Sequence, residues 1–168
     1  MRLIELHPTP LDHPDAACLI VLLQAHYQEI YGGGDVTPFA PAEFVPPAGY
    51  FVVGYADGTA VACGGWRARD VDEAPLRTGD AEIKRMYVRP AYRGRGIARA
   101  VLADLETAAG RAGRRRMGLE TGVRQPDAIG LYVAAGYVPM APFGTYRDAE
   151  GGRYYSKSLP GVIARDGG

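Results

Sequence analysis

Between Arg93 and Arg99 the chain reads Arg-Gly-Arg-Gly-Ile-Ala-Arg and runs straight into AVLADLETAAG, a good helix-forming stretch. The segment before it, AEIKRMYV, has the content of a strand, and Pro90 marks that strand's end. A glycine-containing turn that opens a helix presents backbone N–H groups with no intrahelical partner, in the positive field of the helix dipole. Gly94 and Gly96 carry no side chain that would hold a phosphate away. Arg93, Arg95 and Arg99 add planar cationic donors suited to phosphate oxygens. The expected chemistry is the binding of a diphosphate. An ordinary strand-to-helix turn with solvated arginines is the alternative, because the order matches neither GxxxxGK[ST] nor GxGxxG.

Groups able to move protons lie on both sides of this loop. Tyr132, among Ile129, Leu131 and Val133, reads by itself as an aromatic packed on an apolar face. Glu82 is either a base or a strand-end carboxylate paired with Lys84 or Arg85, and Glu120 is the second carboxylate candidate. Unbroken strand alternation places Glu82 on the same face as Met86 and Val88. Four residues at ~3.3 Å each separate Glu82 from Met86 by about 13 Å. Tyr31, Phe39, Phe44, Phe143 and Tyr146 are candidates for an aromatic wall or for loop anchors. Lys84 and Arg85 leave room for an anionic group on a ligand.

The elements that must position these residues follow from periodicity and breakers. Met1 to Leu6 reads as a first strand. Asp12 is the expected N-cap of a helix to about Tyr31, where Gly32-Gly33-Gly34 stops it. Residues 32–49 form a Pro- and Gly-rich stretch, a lid or a substrate loop, with a helical turn near Ala42 to Phe44. Tyr50–Ala56 and Thr59–Ala68 flank Asp57-Gly58 as a hairpin. Strand 80–88, helix 96–109 and strand 117–121 make a right-handed parallel βαβ unit. The basic run Arg111 to Arg116 reads as a solvated helix end. A helix over Gln125–Gly136 and strands over 137–140 and 153–159 complete the chain. The fold class is α/β (α+β): a mixed sheet with helices on both faces and a parallel βαβ unit.

Arg93-x-x-Gly96-x-Ala98 after that strand resembles the [QR]-x-x-G-x-[GA] signature of the GNAT acetyltransferases. A second segment, Gln125-Pro126-Asp127-Ala128-Ile129-Gly130-Leu131-Tyr132 followed by Gly136-Tyr137, resembles the family's N-x-x-A-x-x-L-Y-x-x-x-G-[FY], with Gln125 where Asn is usual. The two occur in the family's order, and the resemblance covers about Tyr50 to Leu159. It implies a GNAT-type sheet, mostly antiparallel, and direct transfer of acetyl from acetyl-CoA to a primary amine of a small molecule or protein. A non-catalytic acyl-CoA-binding domain on the same fold is the alternative. The resemblance assigns the diphosphate to Arg93, Gly94, Arg95, Gly96, Ile97, Ala98 and Arg99, and further coenzyme contacts to Met86, Tyr87, Val88, Gln125 and Tyr132. It makes the Met86 N–H the donor to the thioester oxygen, Tyr132 the acid toward the leaving sulfur, and Glu82 the catalytic carboxylate of some members. It calls for no metal and leaves a homodimer open.

Composition sets the outer bounds. With 168 residues, 1–160 are expected to form one domain and 161–168 a tail. The 19 basic and 19 acidic residues cancel, which argues against a general nucleic-acid binder. A nucleotide-binding phosphotransferase lacks its P-loop lysine. Cys18 and Cys63 lie in apolar segments without metal-like spacing and read as buried thiols. No signal-like or membrane-spanning run occurs, so a cytoplasmic location is expected.

Overall fold

The computed structural model describes residues 4–161. Its first elements are β1 (Glu5–Pro8), α1 (Pro14–Tyr31), β2 (Gly49–Ala56) and β3 (Thr59–Arg69). Then come β4 (Asp80–Val88), α2 (Ile97–Arg111), β5 (Arg116–Gly122), α3 (Pro126–Ala134), β6 (Val138–Pro139) and β7 (Gly152–Ser158). Short 3-10 turns lie at Pro41–Phe44 and Pro90–Tyr92. The strands form one sheet in the order β1-β2-β3-β4-β5-β7-β6. Every neighbouring pair is antiparallel except β4–β5. The mixed sheet and its single parallel βαβ unit agree with the expected fold class.

Local chemistry explains the boundaries. Pro14 opens α1, and the cap is His13 rather than Asp12, with His13 Nδ1 accepting the Asp15 N–H at 3.1 Å. Gly32 ends α1 in the left-handed conformation that glycine adopts without strain. Among the described residues the first strand covers Glu5–Pro8, ending two residues past the expected end at Leu6. Residues 1–3 and, apart from Gly161, the expected tail lie outside the described residues.

Two cores sandwich the sheet. On one face α2 buries Ile97, Val101, Leu102, Leu105 and Ala109 against Val52, Ala62, Trp66 and Ile83. On the other, α1 buries Leu19 and Leu23 against Phe51, Val53, Cys63 and Tyr87. Each of the larger side chains contributes about 1.5–3 kcal/mol through burial. Cys63 is buried as expected, but Cys18 is exposed on the outer surface of α1; both are free thiols.

Strand β4 does not alternate without interruption. Its pairing with β3 runs Glu82–Arg67, Ile83–Trp66 and Lys84–Gly65, then resumes at Tyr87–Cys63 and Val88–Ala62. Arg85 and Met86 together face Gly64, and Arg85 takes a φ of +61°. This β-bulge reverses the parity. Glu82, Lys84 and Tyr87 face α1, whereas Ile83, Met86 and Val88 face α2. The expectation that Glu82 shares a face with Met86 and Val88 is therefore corrected.

Candidate active site

The parallel pairing of β4 with β5 lasts for only three residue pairs, ending at Glu82–Gly118. Beyond it both strands continue, to Val88 and Gly122, without pairing to each other. A cleft of about 970 Å³ opens there, lined by residues 82–88 of β4 and 119–122 of β5. It reaches the N-terminus of α2 and α3 on one face of the sheet, and α1 with the loop after it on the other. The edge of β4 that β5 leaves is open for an extended, amide-bearing ligand to pair with.

At the α2 end, Gly94 and Gly96 both have positive φ, +74° and +79°. Gly96 is the N-cap of α2, and its carbonyl accepts the Ala100 N–H at 3.1 Å. The amides of Ile97, Ala98 and Arg99 precede that bond and belong to the unsatisfied first turn. A β-carbon at Gly94 or Gly96 would meet nothing within 4 Å, so it is the backbone conformation that calls for glycine here. Arg93 is partly engaged, its Nε donating to the Val88 carbonyl at 2.9 Å. Arg95 stacks over Tyr92, with its guanidinium carbon 5.5 Å from the ring centre. Arg93, Gly94, Gly96, Ile97, Ala98 and Arg99 line the cleft, as do Met86, Tyr87 and Val88 of β4; Arg95 does not.

Tyr132 projects from α3 into this cleft and is buried, edge-on to Tyr137 with ring centres 5.6 Å apart. Burial raises its pKa above the ordinary phenol value, so the hydroxyl keeps its proton. Tyr27 of α1 is raised likewise, first by burial and then by Tyr132. The two tyrosines approach from opposite faces, which places Tyr132 at the gap in the sheet. Gln125 donates to the Tyr31 hydroxyl at 2.9 Å, and its side chain does not cap α3.

The carboxylates sort by partner. Glu82 is buried and accepts the Arg67 Nε at 2.8 Å, with Arg69 at 3.5 Å. Its partners are thus on β3, not the expected Lys84 or Arg85. Burial alone would lower the Arg67 pKa, but Glu82 and Glu43 hold it above its usual value. Lys84 and Arg85 instead converge on Asp35, in the loop after α1, with Lys84 Nζ at 3.0 Å. Neither cation is the free anion site the sequence suggested. Burial would raise Asp35, but Lys84, the Thr37 contacts and Arg85 hold it well below the usual carboxylate range.

Glu120 differs from both. It lines the cleft on the α1 face, in register with Gly118 and Glu82, and has no ion-pair partner among the described residues. Burial pushes its pKa up to about 7, with Lys84 opposing and Asp35 and Glu82 reinforcing the shift. Of the aromatic candidates, Tyr31 and Tyr146 line the cleft. Phe44 and Phe143 are core residues, and Phe39 packs on Phe44 beneath Arg85. Asp35 escaped the sequence reading, since a lone aspartate in a glycine-rich loop carries no spacing signal. The described residues contain no group of three or more His, Cys, Asp or Glu able to hold a metal. Nor do they include a helix long and apolar enough to cross a membrane.

Residues 18–137 match the profile of the acetyltransferase (GNAT) family. A curated relative, an IAA acetyltransferase of Azospirillum brasilense, is 41% identical over 96 residues, which are 57% of this chain and 59% of that protein. The match thus spans less than two thirds of that relative's length. Among solved structures, a Klebsiella pneumoniae protein assigned to the acyl-CoA N-acyltransferases is 26% identical, with a TM-score of 0.76 over 94% of this chain and 98% of that one. An Elizabethkingia anophelis GNAT acetyltransferase with acetyl-CoA bound shares the fold at 14% identity, with a TM-score of 0.65 over 95% of this chain and 100% of that one.

Proposed function

The chain belongs to the acetyltransferase (GNAT) family, and from that premise we propose that it transfers acetyl from acetyl-CoA directly to a small primary amine. The cleft through the splayed strands carries this reading, because it joins a phosphate-binding helix end to a buried phenol and an unpaired carboxyl group. Acetyl-CoA, when bound, supplies the activated acetyl thioester. The amides at the start of α2 and the nearby arginines hold its diphosphate. The open edge of β4 at Val88 pairs with the amide-rich arm.

An amine of pKa about 10 arrives protonated and must lose that proton to attack. Glu120, with a pKa near 7, is the base, and its position on the α1 face makes that face the acceptor's side. Glu82 serves the site as the buried partner of Arg67. The Met86 N–H donates to the thioester oxygen as charge develops there. The Tyr132 hydroxyl gives its proton to the departing sulfur. The name of the curated relative favours a small-molecule acceptor, and Tyr31 and Tyr146 offer it aromatic faces.

The test is thiol release from acetyl-CoA across a panel of small aromatic amines, polyamines, amino acids and peptide N-termini. Amine-dependent release with a small amine supports the reading. Saturable acetyl-CoA binding without turnover for any amine would mean a binding domain instead.

A further inference from the structure

Asp35 is held more firmly than its place in a glycine-rich loop requires. The Gln24 side-chain amide fixes its backbone at both ends, with Asp35 N–H donating to Gln24 Oε1 at 2.8 Å and Gln24 Nε2 donating to the Asp35 carbonyl at 3.1 Å. Its Oδ1 accepts the Thr37 N–H at 2.9 Å, and the Val36 N–H donates to the Tyr146 hydroxyl at 2.7 Å. These bonds aim Oδ2 at Lys84 and Arg85. Lys84 lies on the α1 face of β4, the face on which Glu120 stands across the cleft.

We propose that Asp35 is a positioning residue for Glu120, drawing the Lys84 ammonium into its own ion pair and leaving the Glu120 carboxyl group without a cation. The proposal rests on Glu120 being the base. Glu120 feels Lys84 and Glu82 from β4, Asp35 from the loop, and Tyr146 and Tyr154. Glu82 already accepts from Arg67 and pairs with Arg69, whereas Glu120 shares the cleft and the field of Lys84 and has no such partner, so it can take up a Lys84 released by Asp35. A carboxylate paired with an ammonium binds its proton less tightly and is a weaker base. The loop thereby protects the basicity of a group it does not touch.

The experiment is the pH dependence of kcat/KM, together with a carbon-13 NMR titration of the Glu120 carboxyl in the free protein. Wild type, Asp35→Asn, Lys84→Met, the double variant and Glu120→Gln are compared. Asp35→Asn should move the acid limb and the Glu120 titration down by about one pH unit, and Lys84→Met should move both upward. In the double variant only the smaller downward move due to the loss of Asp35's own charge should remain, because the cation is gone, and a move as large as that of Asp35→Asn alone would overturn the proposal. If Asp35→Asn folds poorly, Lys84→Met keeps the Asp35–Arg85 pair and still gives the opposite shift. A purely structural role lowers kcat and leaves limb and titration in place, and that result would overturn the proposal even if Glu120→Gln abolishes the limb. A limb that persists in Glu120→Gln would remove the base assignment itself.

Discussion

Tyr132 and Glu120 are both shifted by burial, and the shifts have opposite uses. Burial holds the phenol protonated, which suits a donor, and it brings the carboxyl group's pKa to about 7, which suits an acceptor of protons. Because the base must be ionised to act, kcat/KM should be low below pH 6, rise through about pH 7 and level off above it. A profile flat from pH 5 to 8 would exclude Glu120 from that role. Tyr132→Phe removes only the hydroxyl group and keeps the ring, so kcat should fall about 100-fold while acetyl-CoA affinity stays within about twofold. Stopped-flow turnover and calorimetry separate the two, and an unchanged kcat would end the acid assignment. The tyrosine was legible in the sequence through its motif. Glu120's distinction was not, since it depends on which carboxylates find arginines across the sheet.

Among the elements, the βαβ unit was readable because its signals are local: β-branched and aromatic residues in β4, a helical apolar stripe in α2, and glycines between. Gly96 sits at φ +79°, where a β-branched residue costs about 1–2 kcal/mol. Gly96→Val should lower stability by that amount and also weaken acetyl-CoA binding at least about tenfold by tilting the first amides of α2. Calorimetric binding at wild-type strength would detach the loop from the coenzyme. The bulge in β4 was not readable. Arginine gives no hint of a positive φ, and the compensation is tertiary: Cys63 Sγ donates to the Arg85 carbonyl at 3.2 Å, and the Arg85 side chain is held by Asp35 and lies over Phe39. The same strand depends on the buried Arg67–Glu82 pair. Arg67→Met strands a buried carboxylate, and urea unfolding should show a loss of about 3–5 kcal/mol. A loss under 1 kcal/mol would mean that Arg69 and water suffice.

At the scale of the whole molecule, the cleft follows from two strands that pair for three residues and then part. The gap lets groups from both faces meet: the helix end, Met86 and Tyr132 from one side, Glu120, Lys84 and Asp35 from the other. Sequence periodicity predicted the parallel neighbours but not where they separate, because separation is set by register, the bulge and the loops packed at the mouth. The cap at His13 and the exposed Cys18 escaped it, and the choice between an aromatic wall and loop anchors for Phe44 and Phe143 stayed open, for a related reason: each depends on which element packs beside it. Amides at residues 94–99 and along β4 are proposed to receive the coenzyme. Titrating nitrogen-15-labelled protein with coenzyme A while following backbone amide resonances tests it most directly. Saturable shifts should concentrate at Gly94 to Arg99 and Met86 to Val88; saturable binding that leaves those amides unmoved and shifts another surface would place the coenzyme elsewhere.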